Sequence, residues 1–334
     1  MPGPAPASTR PPEPAAAAAP TLALLVGVAA ISSAAILTRA SASDPLLVAL
    51  WRLLLAALLL LPAALLRHGA GALRLGRQAL PTLASGLALA VHFAAWNQSL
   101  LLTSVASSVT LVTIHPVFIL FWDRWRLRRP APATAWWGSA LAVAGSGLVG
   151  GADWGFSPRA LEGDLLAVAG ALAMAAYLLL GRRVRGETET LPYSVVVYLT
   201  ASALLAGWLA LSGRPLLPAG GREWALMAGL AVGPTIFGHT LFSWALGWLP
   251  AQLVSVSILG EPVGAGLLAW LLLGERPSVG AVAGDLMILT GIALSLRLPP
   301  AARRLHADGR TGGAAASGAE AASRPRPLGH QRQG

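Results

Sequence analysis

Apolar runs of about 17 to 24 residues recur along the chain, each long enough to cross a hydrocarbon layer of about 30 Å. Short segments rich in arginine, proline and glycine separate them. Ten runs predict ten helices at 20–38, 45–66, 79–99, 102–122, 134–151, 163–181, 191–212, 224–246, 250–273 and 278–297. The predicted fold class is an all-α integral membrane protein. The gaps after 99 and after 246 are so short that the flanking helices must form tight antiparallel hairpins. Residues 1–19, rich in proline and alanine, and residues 300–334, rich in arginine and glycine, lack the apolar content to bury a core and read as disordered tails.

Composition supports this reading. Of 334 residues, 55% are apolar and only 11% charged, against about 25% charged in an ordinary soluble domain. That excludes a soluble globular enzyme and a disordered protein. The absence of cysteine excludes disulfides, thiolate metal sites and thiol catalysis. The formal net charge of +10 reflects membrane topology and carries no implication of nucleic acid. With the N-terminus inside, inner segments hold 18 arginines, including Arg67, Arg74, Arg77, Arg124, Arg126, Arg128, Arg129, Arg182, Arg183 and Arg185. Outer segments hold five, Arg39, Arg159, Arg214, Arg222 and Arg276. The bias predicts both termini in the cytoplasm of a multi-pass protein of the inner, cytoplasmic membrane. Many tryptophans fall near span ends (Trp51, Trp96, Trp122, Trp136, Trp154, Trp208, Trp224, Trp248), as interfacial anchors do.

The chain also repeats itself. A shift of 146 residues pairs Pro116-Val117 with Pro262-Val263, Leu127 with Leu273, Gly138 with Gly284, Gly145 with Gly291 and Leu148 with Leu294, without gaps. This divides the spans into two five-helix repeats, 20–151 and 163–297. Because five is odd, the second repeat starts on the opposite side of the membrane from the first. Two inverted five-helix repeats are an architecture of secondary transporters, whose substrate site lies between the repeats near the midplane.

The stretch from Trp96-Asn97-Gln98-Ser99 through Ser108 to Pro116 resembles the third and fourth helices of the EamA family of the drug/metabolite transporter superfamily. Leu249-Pro250-Ala251-Gln252, Glu261-Pro262, Leu273-Gly274-Glu275-Arg276 and the glycines Gly284 and Gly291 resemble its later motif. Pro45 with Trp51-Arg52 resembles the start of its second helix. The first repeat departs from the pattern, with Asp123-Arg124-Trp125-Arg126 where a Gly-Glu-Arg is expected. The resemblance implies a ten-helix permease that moves small organic metabolites, often outward, and names no substrate.

Polar groups in hydrocarbon need a reason, since a charge at a helix centre costs roughly 2.5–3.5 kcal/mol on insertion scales. Glu261, near the middle of the ninth helix, is either a proton or cation site or a structural carboxyl paired with a neighbour such as Arg52. His115 is its repeat mate, and each residue precedes an in-phase proline. Pro116 and Pro262 cannot donate to the carbonyls of Val112 and Ile258, so both helices are expected to break there. His115 is either a second polar wall of the site or a core histidine. Arg52 either attracts an anionic substrate group, snorkels outward or pairs with Glu261. His92, Trp96 and Asn97 on the third helix and His239 on the eighth are further candidates, with Tyr177 and Gln252 behind them. Trp96 is either a stacking wall or an interfacial anchor. Phe93 is the mate of His239. Gly233-Pro234 marks a candidate hinge, and Glu275-Arg276 is expected to fix a loop or helix end.

Enzyme signatures are missing: no Walker loop, zinc-protease helix or nucleophile elbow. No cofactor is implied. Three intramembrane histidines on three helices have no spacing that argues for a metal. The leading expectation is a secondary transporter working by alternating access, driven by the substrate gradient or by protons. The partners expected are the lipid bilayer and a small-molecule substrate, with no nucleic acid and the oligomeric state open. A membrane sensor or assembly protein on the same fold, and a flippase for a lipid-linked substrate, stand as alternatives.

Overall fold

The structure is a computed structural model that describes residues 14–296, apart from 70, 104, 127, 129–131, 151–156 and 274–277. The C-terminal tail and Glu275-Arg276 lie outside the described residues. The described residues are helical throughout, in segments α1 (Pro14–Ile31), α2 (Ala34–Ala40), α3 (Pro45–His68), α4 (Ala79–Leu102), α5 (Val105–Val112), α6 (His115–Trp125), α7 (Ala133–Gly150), α8 (Pro158–Arg185), α9 (Thr190–Leu211), α10 (Gly221–Leu230), α11 (Leu241–Ala245), α12 (Ala251–Ile258), α13 (Glu261–Leu273) and α14 (Val279–Leu296). A π-helical stretch, Ala231–Thr240, joins α10 to α11. α1 begins at Pro14, inside the expected N-terminal tail.

Local chemistry sets the ends of the long helices. The Asp44 side chain accepts from Leu46 N and Pro45 supplies a preset φ at the start of α3. Ser157 accepts from Ala160 N at the start of α8, and Pro158 follows it. α3 ends at Gly69, whose φ of 71° only glycine adopts freely. Arg182, Arg183 and Arg185 occupy the last turn of α8, where cations oppose the helix dipole.

Seven described helical runs are long and apolar enough to cross a membrane: Ala19–Thr38, Pro45–His68, Gly76–Leu102, Pro158–Arg185, Thr190–Leu211, Gly221–Ala245 and Ala251–Leu268. Their outer faces expose large apolar side chains such as Leu66, Leu165 and Leu211. Around a whole bundle, such a surface has hydrocarbon as its solvent.

The boundaries fall into register. α5 and α12 begin at Val105 and Ala251, 146 residues apart, and end at Val112 and Ile258, also 146 apart. α7 and α14 match at both ends in the same way. The two proline-containing helices both break, between Val112 and His115 and between Ile258 and Glu261. The breaks are tight turns rather than loops, closed by Ile114 N to Leu111 O and by Leu259 N to Val256 O. The eighth predicted helix does not break at Gly233-Pro234. It widens into the π-helical stretch instead, where Thr235 and Thr240 donate their hydroxyls to carbonyls five residues back.

Packing is reciprocal as well. α4 packs along α8, α1 along the π-helical stretch and α11, α3 along α9, and α7 along α14. The α7–α14 seam is the tightest. A Cβ on Gly145 would lie 2.6 Å from the Gly284 carbonyl oxygen, and one on Gly138 would collide with Gly291 and Ser295. Since Gly138 meets Gly291 while Gly145 meets Gly284, the two helices run antiparallel. Small residues that let backbones touch are how helices associate where lipid removes the hydrophobic drive. Gly145→Ala is therefore expected to lower the melting temperature in detergent, at an overpacking cost of about 1–3 kcal/mol. Gly207→Ala, where nothing lies within 4 Å, is expected to hold or raise it. Equal melting temperatures for the two variants would contradict the close seam.

Candidate substrate cavity

The helix breaks and the π-helical stretch face one another across a small, partly open cavity of about 40 Å³. Arg52, His92, Trp96, His115, His239 and Glu261 all line it, together with Phe93 and Phe242. They come from α3, α4, α6, α11, α13 and the π-helical stretch. Six of the nine polar or aromatic candidates thus converge. Asn97, Tyr177 and Gln252 do not reach it.

Arg52 is 1% exposed. Its Nε donates to Thr235 Oγ1 at 3.1 Å, and its guanidinium lies over the Phe93 ring, 4.3 Å from the centroid. Its Nη1 is buried without a hydrogen-bond partner among the described residues. No ion pair joins it to Glu261 among the described residues, so the pairing expected as one alternative is not formed. The arginine does not snorkel either. Glu261 is the first residue of α13, where a carboxylate opposes the positive end of the helix. Ser32 donates to its backbone carbonyl at 3.3 Å.

His92 Nδ1 donates to the Gly170 carbonyl at 3.0 Å, tying α4 to α8. Its ring stacks on Trp96, with centroids 6.2 Å apart. Trp96 is 4% exposed and its Nε1 has no partner among the described residues, so it is a wall of the cavity and not an interfacial anchor. His239 meets Phe93, Tyr177 and Phe242 edge-on, and its Nδ1 is buried without a partner among the described residues. His115 bonds Ser255 on α12 through Nδ1.

The three remaining candidates brace the walls from behind. Asn97 Nδ2 donates to the Pro45 carbonyl at 2.9 Å. Tyr177 shares a hydrogen bond with Ser243 at 2.8 Å. Gln252 Nε2 donates to Ser139 at 3.0 Å. Pro116 and Pro262 sit in the first turns of α6 and α13. Among the described residues no cluster of three metal-ligating side chains occurs.

Polar contacts between the two repeats bracket the cavity. At one end Arg182 forms a two-pronged ion pair with Asp123, at 2.8 and 2.9 Å, and Gln78 bonds Glu187. At the other, the Glu223 carboxylate accepts from Ser41, Ser43 and the Ala42 N–H, and Arg214 pairs with Asp44. Asp123, which breaks the expected Gly-Glu-Arg pattern, thus has its own partner on α8. Sequence reasoning missed Thr235 and Ser255, which no motif marks. It also left Phe93 unassigned, although the repeat shift pairs it with His239.

Fold and cavity define a helical, multi-pass membrane protein with a small, mainly apolar cavity, lined by a few polar side chains, at the meeting point of broken helices. The sequence pattern of the EamA-like transporter family matches residues 18–151 and 161–297. The chain belongs to that family. An uncharacterized transporter of Archaeoglobus fulgidus is 29% identical over 138 residues, 40% of this chain and 48% of that protein. The match thus spans about half the length of that relative. A solved structure described only as a crystal structure of a protein has the same fold, with a TM-score of 0.72 at 23% identity over 86% of this chain and 99% of the other.

Thr235→Val takes away the acceptor of a buried charged donor, a loss of about 1–3 kcal/mol. It is expected to lower the melting temperature by several degrees while Thr235→Ser restores it. Thermal unfolding in detergent reads both, and an unchanged Thr235→Val would remove Thr235 from the support of Arg52.

Proposed function

We propose that the chain is a secondary transporter of ten membrane-spanning helices in two inverted repeats, 20–151 and 163–297. It carries a small organic solute across the cytoplasmic membrane by alternating access, with both termini in the cytoplasm. The observation that supports this most is the cavity between the repeats, walled by the repeat mates His115 and Glu261 and by the mates Phe93 and His239. Elements that correspond under a 146-residue shift, α7 and α14, run antiparallel, and their glycines contact each other reciprocally. Such isologous contact is what a two-fold axis between inverted halves requires. In this reading the Asp123–Arg182 pair closes the cytoplasmic end, and the Glu223 cluster closes the outer end.

Alternating access requires one wall to be reachable from each side in turn. The chain has no cysteine, so Val109→Cys gives a single label on the cavity wall. In oriented vesicles an impermeant maleimide is expected to react with it from either side. A disulfide engineered with Asp123→Cys and Arg182→Cys, formed after protecting Val109→Cys, is expected to leave outer access alone. Labelling from one side only, whether or not the lock is set, would favour a fixed sensor or assembly protein.

Glu261 and His115 are the proposed protonation sites. For a solute found by thermal shift among amino acids, sugars, nucleobases, polyamines and cationic drugs, Glu261→Gln is expected to keep the fold and lose pH-driven accumulation in proteoliposomes. Full pH-coupled transport by Glu261→Gln would end that role for Glu261.

A further inference from the structure

The two rims of the bundle use their arginines differently. At the rim of the Glu223 cluster, Arg214 pairs with Asp44, Arg222 with Glu223, and Arg159 donates to the Leu101 carbonyl. At the opposite rim the Asp123–Arg182 pair draws the end of α6 to the end of α8. Arg124, Arg126 and Arg128 follow Asp123, and Arg183 follows Arg182; all four are exposed. The Gln78–Glu187 bond brings the start of α4 to the same place, and with it the exposed Arg74 and Arg77. None of these six arginines has an ion pair or a side-chain hydrogen bond among the described residues. The exposed acids beside them are Glu187, already bonded to Gln78, and Glu189. The patch therefore carries a surplus of unpaired positive charge around one ion pair, and like charges so gathered push the helix ends apart.

We propose that this patch is a binding surface for the headgroups of anionic phospholipids. Clusters of about four to eight arginines beside a membrane span attract such lipids, each arginine contributing roughly a fivefold gain in affinity. The planar guanidinium matches a phosphate with two parallel donors. Rings interleaved with the arginines select a lipid over a soluble anion. Trp125, between Arg124 and Arg126, is 78% exposed, and Phe121 and Trp122 are exposed on the preceding turn. Indole rings in that position settle at the headgroup level of a bilayer, which holds the neighbouring guanidinia at the depth of the phosphates. A zwitterionic lipid also carries a phosphate, but its cation adds to the surplus instead of relieving it. The inference needs the membrane placement of the helices and not the transport reading.

The test uses the purified full chain in neutral detergent, mixed with dioleoyl phosphatidylglycerol or with dioleoyl phosphatidylcholine at equal mole fraction. Phosphatidylglycerol is expected to raise the melting temperature by several degrees more than phosphatidylcholine does. Millimolar glycerol 3-phosphate, which has the phosphate without the acyl chains, is expected to give little or no shift. Replacing Arg124, Arg126 and Arg128 together by Gln is expected to remove most of the phosphatidylglycerol excess while leaving the melting temperature in phosphatidylcholine unchanged. Arg183→Gln, on the other helix end, is expected to lose part of the excess, and it serves alone if the triple variant does not fold. Replacing Arg303, Arg304 and Arg310 by Gln removes the same charge from the C-terminal tail and is expected to keep the excess.

Equal shifts with the two lipids would overturn the proposal as a whole. A shift from glycerol 3-phosphate as large as that from phosphatidylglycerol would replace the lipid by a soluble anion. An excess that survives both the triple replacement and Arg183→Gln, or that falls equally with the tail replacement, would overturn the assignment to this patch. No solute enters the measurement, so the transport reading stands or falls separately, by the two-sided labelling of Val109→Cys.

Discussion

A guanidinium that keeps its charge lies inside a bundle whose outer surface is built for hydrocarbon, and much of the surrounding structure serves to hold it. Placing such a group there costs roughly 2.5–3.5 kcal/mol on insertion scales. A desolvated cation–π contact returns about 2 kcal/mol or more, and a membrane hydrogen bond about 0.6–2. Phe93 and Thr235 together therefore offset the cost to within a few kcal/mol. Both depend on their own supports. Phe93 lies on α4, which His92 ties to the Gly170 carbonyl of α8. Thr235 is presented by the π-helical stretch, where its hydroxyl donates to the Leu230 carbonyl while accepting from Arg52. The wide helix is thus part of the arginine's coordination. Had Gly233-Pro234 broken the helix, Thr235 would have lost its fixed register.

Two kinds of contact join the repeats, and they differ in what they permit. Along α7 and α14, glycine backbones touch. That packing has no second arrangement of comparable quality, because interiors at van der Waals contact resist sliding. At the rims the links are ion pairs and hydrogen bonds of partly exposed groups, such as Asp123 with Arg182 and Asp44 with Arg214. Water can replace these at a cost of about 1 kcal/mol or less for an exposed pair. The proposed alternating access would use this division, opening at the exchangeable rims while the tight seam holds the bundle together.

The sequence was most legible where a chemical prohibition acts. Proline has no N–H to donate, so the breaks before His115 and Glu261 could be placed to the residue, and hydrocarbon penalises charge, so Arg52, His92, His239 and Glu261 stood out against their apolar neighbours. It was least legible where the answer depends on which face a side chain presents. Trp96 near a helix end reads equally as an interfacial anchor. Only the packing of α4 on α8 turns it inward. Asn97, one residue on, points instead to the Pro45 carbonyl. Thr235 had no signal at all, because its role arises from a π-helical register that periodicity does not reveal. The partner of Asp123 lies 59 residues away on another helix, and no local pattern announces it.

The repeats have kept their backbones in register while their cavity side chains have diverged. His115 stands opposite Glu261, Phe93 opposite His239, and Arg52 corresponds under the same shift to Tyr198, which bonds Thr240 and the Thr235 carbonyl outside the chamber. A duplicated frame with identical side chains would present every ligand with two equivalent poses, related by the axis, and could not tell one end of a polar molecule from the other. One fixed cation on α3 and one carboxylate on α13, with neither reproduced by its mate, remove that degeneracy. Under the proposed alternating access, symmetry of the backbone would provide two comparable ways to open, while asymmetry of the lining would distinguish the two ends of whatever the cavity takes. The proposed carrier would need both properties, and here they reside in different parts of the chain: the first in helix breaks and glycines, the second in the few charged and aromatic side chains beside them.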